Sequence, residues 1–292
     1  MRGFYCLSIF REKMADETRY KVGARRIVRV NLSPAEVAGN GSLNALAEEQ
    51  AVVVDILRAT TTIIQALASG ATTVVPCVSP EEAIGLAGRL DPTRVVIAGE
   101  RGGVKPPGFD LGNSPLDFTP ARVRGKSIVM GTTNGTRALV AVAGAARVFA
   151  GAFVNLSALV EELNQNGEPV RIVCAGQHGQ PCGEDTLFAG WLARALSQLE
   201  EPYDVAADAA THQAMKLAGT MESGQILSAL LAWEHGKNLV GLGFGRDVEF
   251  AAQLDRLPVV PLLRPDPTRL ELVGPGPRSP ALDRGPAFQT GG

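Results

Sequence analysis

Four short apolar runs in this chain each end abruptly in a cluster of Gly and polar residues. The runs are VVVDILRATTT, VVIAGERGG, SIVMGTTNGT and IVCAGQHGQPCGED. Continuous apolar runs of this length are typical of parallel strands that are buried on both faces. Ligands of open α/β sheets bind outside the carboxyl ends of such strands, so the four clusters predict one composite site.

The order of elements predicts a layered α/β/α fold with a largely parallel sheet. Strands alternate with helices from about 27 to 200, residues 205–257 are mainly helical, and 258–263 form a last strand. We expect two α/β lobes with the active site between them, at the carboxyl ends of the strands. The predicted divisions are a peripheral extension (1–25), a first lobe (26–160), a second lobe (161–265) and a Pro/Gly-rich tail that frays (266–292).

Composition excludes several classes of function. The 28 basic and 30 acidic residues among 292 give a net charge of -2, and no basic block could follow a nucleic-acid backbone. No uninterrupted apolar run reaches membrane-spanning length, and the first residues lack the apolar core of an export signal. The four cysteines lack zinc-ligand spacing. We therefore expect a cytoplasmic protein that binds neither nucleic acid nor membrane.

The first polar cluster contains Asp55 and Arg58. A carboxylate can hold Mg²⁺ and a guanidinium can bind phosphate as a fork, so the pair suits a phosphorylated anion. An ion pair between the two residues is the alternative. Asp-x-x-x-Ala-Thr also invites comparison with haloacid-dehalogenase phosphatases, but Leu57 stands where their second Asp would be, so that match is poor.

The second cluster combines Glu100 and Arg101 with a Gly-rich loop that carries Asp110 and Asn113. Glycines allow main-chain N–H groups to approach a ligand closely. Lys105 adds a further cation. The alternative is a set of Asx turns in a surface loop.

The third cluster, 131–136, precedes a helix, where free N–H groups and the helix dipole favour an anion. Its candidate ligand contacts are Thr132, Thr133, Asn134 and Gly135. Simple helix capping is the alternative. The loop lacks the Lys and the spacing of a Walker A motif.

The fourth cluster places Glu184 and Asp185 at the start of a helix. Acidic residues in a first turn commonly serve only as partners of the helix dipole, which is the alternative reading. His178 is a candidate proton shuttle. His212 and His235 lie on helical segments, and packing or solvent exposure is the default expectation for both.

Together the motifs resemble the 2-phosphosulfolactate phosphatase family. They are Asp55-Ile-Leu-Arg-Ala-Thr-Thr-Thr62, Gly99-Glu-Arg101, Gly108-Phe-Asp-Leu-Gly-Asn-Ser-Pro115, Thr132-Thr-Asn-Gly-Thr136, Glu184-Asp185, His235-Gly-Lys-Asn-Leu and Asp247-Val-Glu-Phe. The resemblance extends over roughly 27–263. Several motifs in the same order make it more specific than any single cluster.

The resemblance implies a Mg²⁺-dependent homodimeric hydrolase that converts 2-phospho-3-sulfolactate to 3-sulfolactate and phosphate, a step in coenzyme M biosynthesis. The metal candidates are Asp55, Glu184 and Asp185, with Glu100 as second choice. The other candidates are catalytic (Asp55, Arg58, Glu100, Arg101) or substrate-binding (Asp110, Asn113, Thr132, Thr133, Asn134, Gly135, His178).

Three alternatives stay open at this point. The substrate could be another 2-phospho acid, because the family name covers more proteins than those with a proven substrate. Asp55 could act as a covalent nucleophile, whereas we expect water to attack phosphorus directly. The protein could also bind small phosphorylated acids without turning them over.

Overall fold

The structure is a computed structural model that describes residues 26–39, 46–265 and 268–273. The predicted extension, 1–25, and the end of the predicted tail lie outside these residues. In the described part, no helix is both long enough and apolar enough to cross a bilayer.

The strands in the described residues are β1 Ile27–Asn31, β2 Gln50–Val54, β3 Thr73–Cys77, β4 Val95–Gly99, β5 Ser127–Gly131, β6 Arg147–Gly151, β7 Val170–Cys174, β8 Asp204–Val205, β9 Pro261–Pro265 and β10 Thr268–Leu272. They form one ten-stranded sheet, in the order β4-β5-β3-β10-β9-β6-β2-β7-β1-β8. Neighbouring strands are parallel except where β9 or β10 takes part. The predicted α/β fold with a largely parallel sheet is therefore confirmed.

The β9-β10 hairpin separates two parallel blocks of the sheet. It is antiparallel to both, pairing Leu270 with Val74 on one side and Leu262 with Phe149 on the other. Strand β10 lies within the tail that was expected to fray, so that expectation is wrong for Thr268–Leu272. The sequence TRLEL alternates polar and apolar residues, and Leu270 is fully buried between the blocks. β1, β2 and β6 pair with each other or with β7 in one sheet, and the division into two lobes stays a prediction.

Helices cover both faces of the sheet. Ser79 caps the helix Pro80–Ala87, because its side chain accepts a hydrogen bond from the Glu82 N–H. The predicted helical segment, 205–257, forms four helices. The helices are α1 Ala35–Gly39, α2 Ala59–Ala68, α3 Pro80–Ala87, α4 Pro120–Val123, α5 Gly135–Ala141, α6 Leu156–Asn166, α7 Gly183–Ser197, α8 Ala209–Gly219, α9 Ile226–Ala232, α10 Glu234–Gly241 and α11 Gly245–Ala251.

Strand β2 lies at the centre of the core. Val52 and Val54 face one apolar cluster, which α6 and α7 cover, and Ala51 and Val53 face a second, which α2 and α5 cover. The alternation follows from the two-residue period of a strand. A continuous apolar run was thus the correct signal for a strand buried on both faces.

Helices α7 and α8 approach each other closely at Gly190. A Cβ atom there would lie 2.0 Å from the carbonyl oxygen of Ala214 and 2.9 Å from the Cβ of Ala218. Main-chain atoms cannot move aside as a flexible side chain can. The contact therefore requires glycine.

We expect Gly190→Ala to lower the free energy of unfolding by about 1–3 kcal/mol, the usual cost of overpacking. Gly219→Ala is the matched control, because no atom lies within 4 Å of its added Cβ. That variant should keep or gain stability, by up to about 1 kcal/mol, since alanine favours helix. Denaturant unfolding measures both, and equal stability of the two variants would contradict the close contact.

Candidate functional site

Asp55 follows directly after β2 and is buried. Its Oδ1 accepts a hydrogen bond from the Ala59 N–H at 3.2 Å. Burial raises the pKa of Asp55 to about 6; the positive charge of His235 and the Ala59 N–H oppose this rise, and the charges of Glu100 and Glu184 add to it. The side chain is therefore a desolvated carboxyl group whose charge is only partly compensated.

Asp185 joins the carboxyl ends of two neighbouring strands. Its Oδ1 accepts from the Ile56 N–H at 2.9 Å and its Oδ2 from the Gly176 N–H at 3.0 Å. Burial raises the pKa of Asp185 well above its ordinary range, and the charges of Asp55 and Glu184 raise it further. Glu184 and Asp185, the acidic residues in the first turn of α7, are both buried. They are therefore not solvent-exposed side chains that interact only with the helix dipole.

His235 places an imidazole beside these carboxylates. Its Nδ1 donates to Oε1 of Glu184 at 2.8 Å. Burial lowers the pKa of His235, but the hydrogen bond and charge of Glu184, with the charges of Asp55 and Asp185, outweigh it, and the net pKa is raised. The default expectation of packing or exposure is therefore wrong for this residue. His235 falls in one of the motifs that carried the family resemblance, which is the signal that could have identified it.

The position of His235 depends on a glycine at the start of α7. A Cβ on Gly183 would lie 2.5 Å from the ring of Trp233. Without a side chain at Gly183, the indole packs directly against the helix terminus. Trp233 precedes α10, so this contact holds the first turn of α10 beside Glu184.

The loop after β5 meets the Asp55 turn. A Cβ on Gly135 would lie 2.8 Å from the Cβ of Ala59 and 3.1 Å from Oδ2 of Asp55. Strands β2 and β5 belong to different blocks of the sheet. The two blocks therefore bring their carboxyl ends together at Asp55, as the four polar clusters predicted.

The polar side chains of this loop differ in environment. Thr132 is buried, and its Oγ1 lies 3.3 Å from Oγ1 of Thr136, which donates to the carbonyl of Cys77. Asn134 occupies the N-cap position of α5 without a side-chain capping bond, and Thr133 is exposed. The capping alternative is thus not realised by the Asn134 side chain.

Glu100 links two loops through main-chain N–H groups. Its Oε1 accepts from the Thr133 N–H and its Oε2 from the Gly103 N–H, each at 2.9 Å. Amide groups expected to bind a ligand anion thus already hold an anionic side chain of the protein. Glu100 fixes the relative position of the loops that follow β4 and β5.

Arg58 forms a buried clamp with partners distant in sequence. Its Nη1 donates to Oδ2 of Asp247 at 2.7 Å and its Nη2 to the carbonyl of Gly103 at 2.6 Å. The guanidinium carbon lies 4.3 Å from the ring centre of Phe244. Arg58 does form an ion pair, but with Asp247 and not with Asp55. The same carboxylate accepts a hydrogen bond from Ser114 at 2.7 Å through its Oδ1.

Asn113 is buried beside this clamp. Its main-chain carbonyl accepts from Oγ1 of Thr62 at 3.0 Å. Its side-chain Oδ1 is buried without a hydrogen-bond partner in the described part of the chain. A buried amide oxygen without a partner is uncommon in folded proteins and calls for an explanation.

Three further candidates are exposed, and two of them contact other parts of the protein. Arg101 is 75% exposed and lies 3.7 Å from Glu81. Oδ2 of Asp110 accepts from the Ile97 N–H, which ties its loop to β4. His178 sits in an exposed turn with a φ of 52°. Their roles as catalytic or substrate-binding residues stay predictions.

The donor chemistry of the site suits Mg²⁺. Among residues 26–39, 46–265 and 268–273, no three His, Cys, Asp or Glu side chains are grouped so as to hold a metal ion. Mg²⁺ needs no such cage, because one or two carboxylates commonly bind it together with water and substrate phosphate. Asp55 and Asp185 are buried, interact electrostatically and offer hard oxygen atoms. The predicted set of three ligands stays a prediction.

Comparison with known proteins identifies the family. Residues 37–266 match the model of the 2-phosphosulpholactate phosphatase family. A relative from Symbiobacterium thermophilum is 42% identical over 236 residues, covering 80% of this chain and 95% of the relative. One from Caldanaerobacter subterraneus subsp. tengcongensis is 37% identical over 219 residues, covering 75% and 89%. Both are named probable 2-phosphosulfolactate phosphatase. The chain therefore belongs to the 2-phosphosulpholactate phosphatase family and is a phosphatase.

Proposed function

We propose that this phosphatase hydrolyses 2-phospho-3-sulfolactate to 3-sulfolactate and phosphate, with Mg²⁺ as cofactor. The observation that carries the proposal is the buried carboxylate of Asp55 at the point where the two blocks of the sheet meet. Asp185, Glu184 and His235 surround it with interacting charges. The names of the relatives support the choice of substrate.

Asp55 and Asp185 would hold the metal ion. Bound Mg²⁺ would supply positive charge to the phosphoryl oxygens and to the carboxylates around it. Asp185 is oriented for this by the N–H groups of Ile56 and Gly176. Glu184 is the third proposed ligand, and its Oε1 is also engaged by the imidazole of His235.

The rest of the site would orient an anionic substrate. Glu100 holds the loops of Gly103 and Thr133 in one arrangement, and Arg58 holds Gly103 from the opposite side. Arg101 and Lys105 are exposed cations on the same loop and could meet the sulfonate or carboxylate. A polyanionic substrate is consistent with this distribution.

The proposal includes the wider setting that the resemblance implies. The reaction would serve coenzyme M biosynthesis, in the cytoplasm, and the enzyme would be a homodimer. Size measurement in solution tests the last point independently of activity.

Phosphate release from 2-phospho-3-sulfolactate tests the function directly. We expect turnover that excess EDTA abolishes and that added Mg²⁺ restores. Parallel assays with 2-phospholactate and 2-phosphoglycerate test whether another 2-phospho acid is the better substrate. Full turnover in EDTA would overturn the metal requirement, and a phosphorylated Asp55 trapped at the turnover rate would replace direct attack by water with a covalent route.

We expect Mg²⁺ to raise the melting temperature of the protein far more at pH 8 than at pH 5. A cation binds the ionised carboxylates, and Asp55, with a pKa of about 6, is protonated at the lower pH. Thermal unfolding with and without Mg²⁺ measures the effect. Asp55→Asn should remove most of it, and equal stabilisation of the variant and the wild type would place the metal elsewhere.

We expect Asp55→Asn to abolish activity and to stabilise the metal-free protein above pH 6. The pKa of Asp55 rises from 3.8 to about 6 on folding. The folded protein therefore loses stability progressively as the pH rises between these values, because the carboxyl group ionises more readily in the unfolded chain. The cost is on the order of 3 kcal/mol, and the variant should recover about 1–3 kcal/mol of it at pH 8. The gain should shrink towards pH 5.

Asp91→Asn is the control for this experiment. Hydrogen bonds from Thr93 lower the pKa of Asp91, which is the opposite direction, and the side chain is exposed. Its replacement should leave activity unchanged and should not stabilise the protein at pH 8. A stability gain that is independent of pH in Asp55→Asn would contradict the assigned cause.

A further inference from the structure

We propose that Asp247 is a positioning residue for the substrate site, acting on Asn113 and on the Gly103 turn through Ser114 and Arg58. The inference rests on the proposed function, in which the loop 101–114 contacts the substrate. It assigns a task to the helical segment after β8, which supplies Asp247.

Asp247 connects two segments that are far apart in sequence. The carboxylate is buried, with Oδ2 accepting from Nη1 of Arg58 and Oδ1 from Oγ of Ser114, each at 2.7 Å. Arg58 lies three residues after Asp55, and Ser114 directly follows Asn113. One side chain on α11 therefore sets the distance between the Asp55 turn and the end of the loop.

Arg58 extends the connection to the beginning of the same loop. Its Nη2 donates to the carbonyl of Gly103, and its guanidinium stacks on Phe244, three residues before Asp247. The side chain of Leu242 also packs on Gly103, since a Cβ atom added to Gly103 would lie 2.9 Å from Cδ1 of Leu242. The segment 242–247 thus contacts the loop at both of its ends.

Two hydrogen bonds hold the chain at Asn113 and Ser114, whereas the side-chain oxygen of Asn113 has no partner among the described residues. Thr62 binds its carbonyl, and Asp247 binds the next residue, Ser114. The buried Oδ1 of Asn113 makes no hydrogen bond with the described residues, so this oxygen does not contribute to holding the loop. A buried residue whose main chain is held and whose amide oxygen lacks a partner is suited to a ligand contact. The amide oxygen can accept a hydrogen bond from the free hydroxyl of a hydroxy acid such as 3-sulfolactate. A flip of the amide would present a donor instead, which suits the anionic oxygens of the phosphate ester.

The competing explanation is that Asp247 serves stability alone. Removing one member of a buried ion pair leaves an uncompensated charge, which is strongly destabilising in either case. Loss of stability therefore cannot decide between the two roles. Substrate affinity in a folded variant can.

The test compares Asp247→Asn, Ser114→Ala and the double variant in phosphate release from 2-phospho-3-sulfolactate, well below their melting temperatures. We expect KM to rise about tenfold or more in Asp247→Asn and about threefold in Ser114→Ala, with kcat changing less than KM. The double variant should resemble Asp247→Asn, because both changes interrupt one connection. Asp255→Asn is the matched control, a carboxylate that binds Ser157 through both oxygens away from the loop, and its KM should equal that of the wild type.

Hydrogen exchange of 101–114 in the ligand-free protein gives a second readout that does not depend on the reaction. Exchange should accelerate in Asp247→Asn and stay unchanged in Asp255→Asn. Faster exchange with an unchanged KM would overturn the positioning role, as would additive effects in the double variant. If Asp247→Asn does not fold, an unchanged KM in Ser114→Ala alone overturns it.

Failure of the proposed function is distinguishable from failure of this inference. A wild type that releases no phosphate from any 2-phospho acid would refute the function. The affinity of the same variants for inorganic phosphate, measured by calorimetry, would then decide the inference. A tenfold loss in Asp247→Asn supports positioning, and an unchanged affinity refutes it.

Discussion

The burial of negative charge at the end of β2 is the constraint on which the rest of the structure depends. Asp55, Glu184 and Asp185 are all removed from water, and an isolated ionised carboxylate in such a place is costly. Main-chain N–H groups and His235 compensate part of that cost. The remaining imbalance explains why the pKa of Asp55 is raised and why a cation would be accommodated.

The groups that compensate the buried charge include side chains far in sequence from the strand ends. The segment after β8 contributes His235 to one charged cluster, and Phe244 with Asp247 to the other. Both clusters adjoin the turn that begins at Asp55, because Arg58 belongs to the same turn. The C-terminal helices are thus part of the site as much as the parallel strands are, and they depend on contacts such as Trp233 against Gly183.

Sequence patterns predicted local features well and long-range partners poorly. The apolar run 51–54 predicted a strand buried on both faces, and β2 confirms it. The Ser79 cap is also a local contact, made to the N–H three residues further along the chain. The meeting of strand ends at Asp55 was also predictable, since parallel strands share an edge. The pairing of Arg58 with Asp247 spans 189 residues, so no local period could reveal it. Strand β10 was missed because nearby prolines and glycines outweighed the alternation of TRLEL.

The hydrogen bonds of Glu100 have a consequence for selectivity among anions. A ligand oxygen that reaches the Thr133 or Gly103 N–H must first replace a carboxylate oxygen already bound there. Binding at these amides is therefore an exchange of one negatively charged acceptor for another, and the number of hydrogen bonds does not increase. A singly charged acid gains little from such an exchange. A ligand with several negative charges gains binding free energy from its other charged groups, which can contact cations outside these two amides.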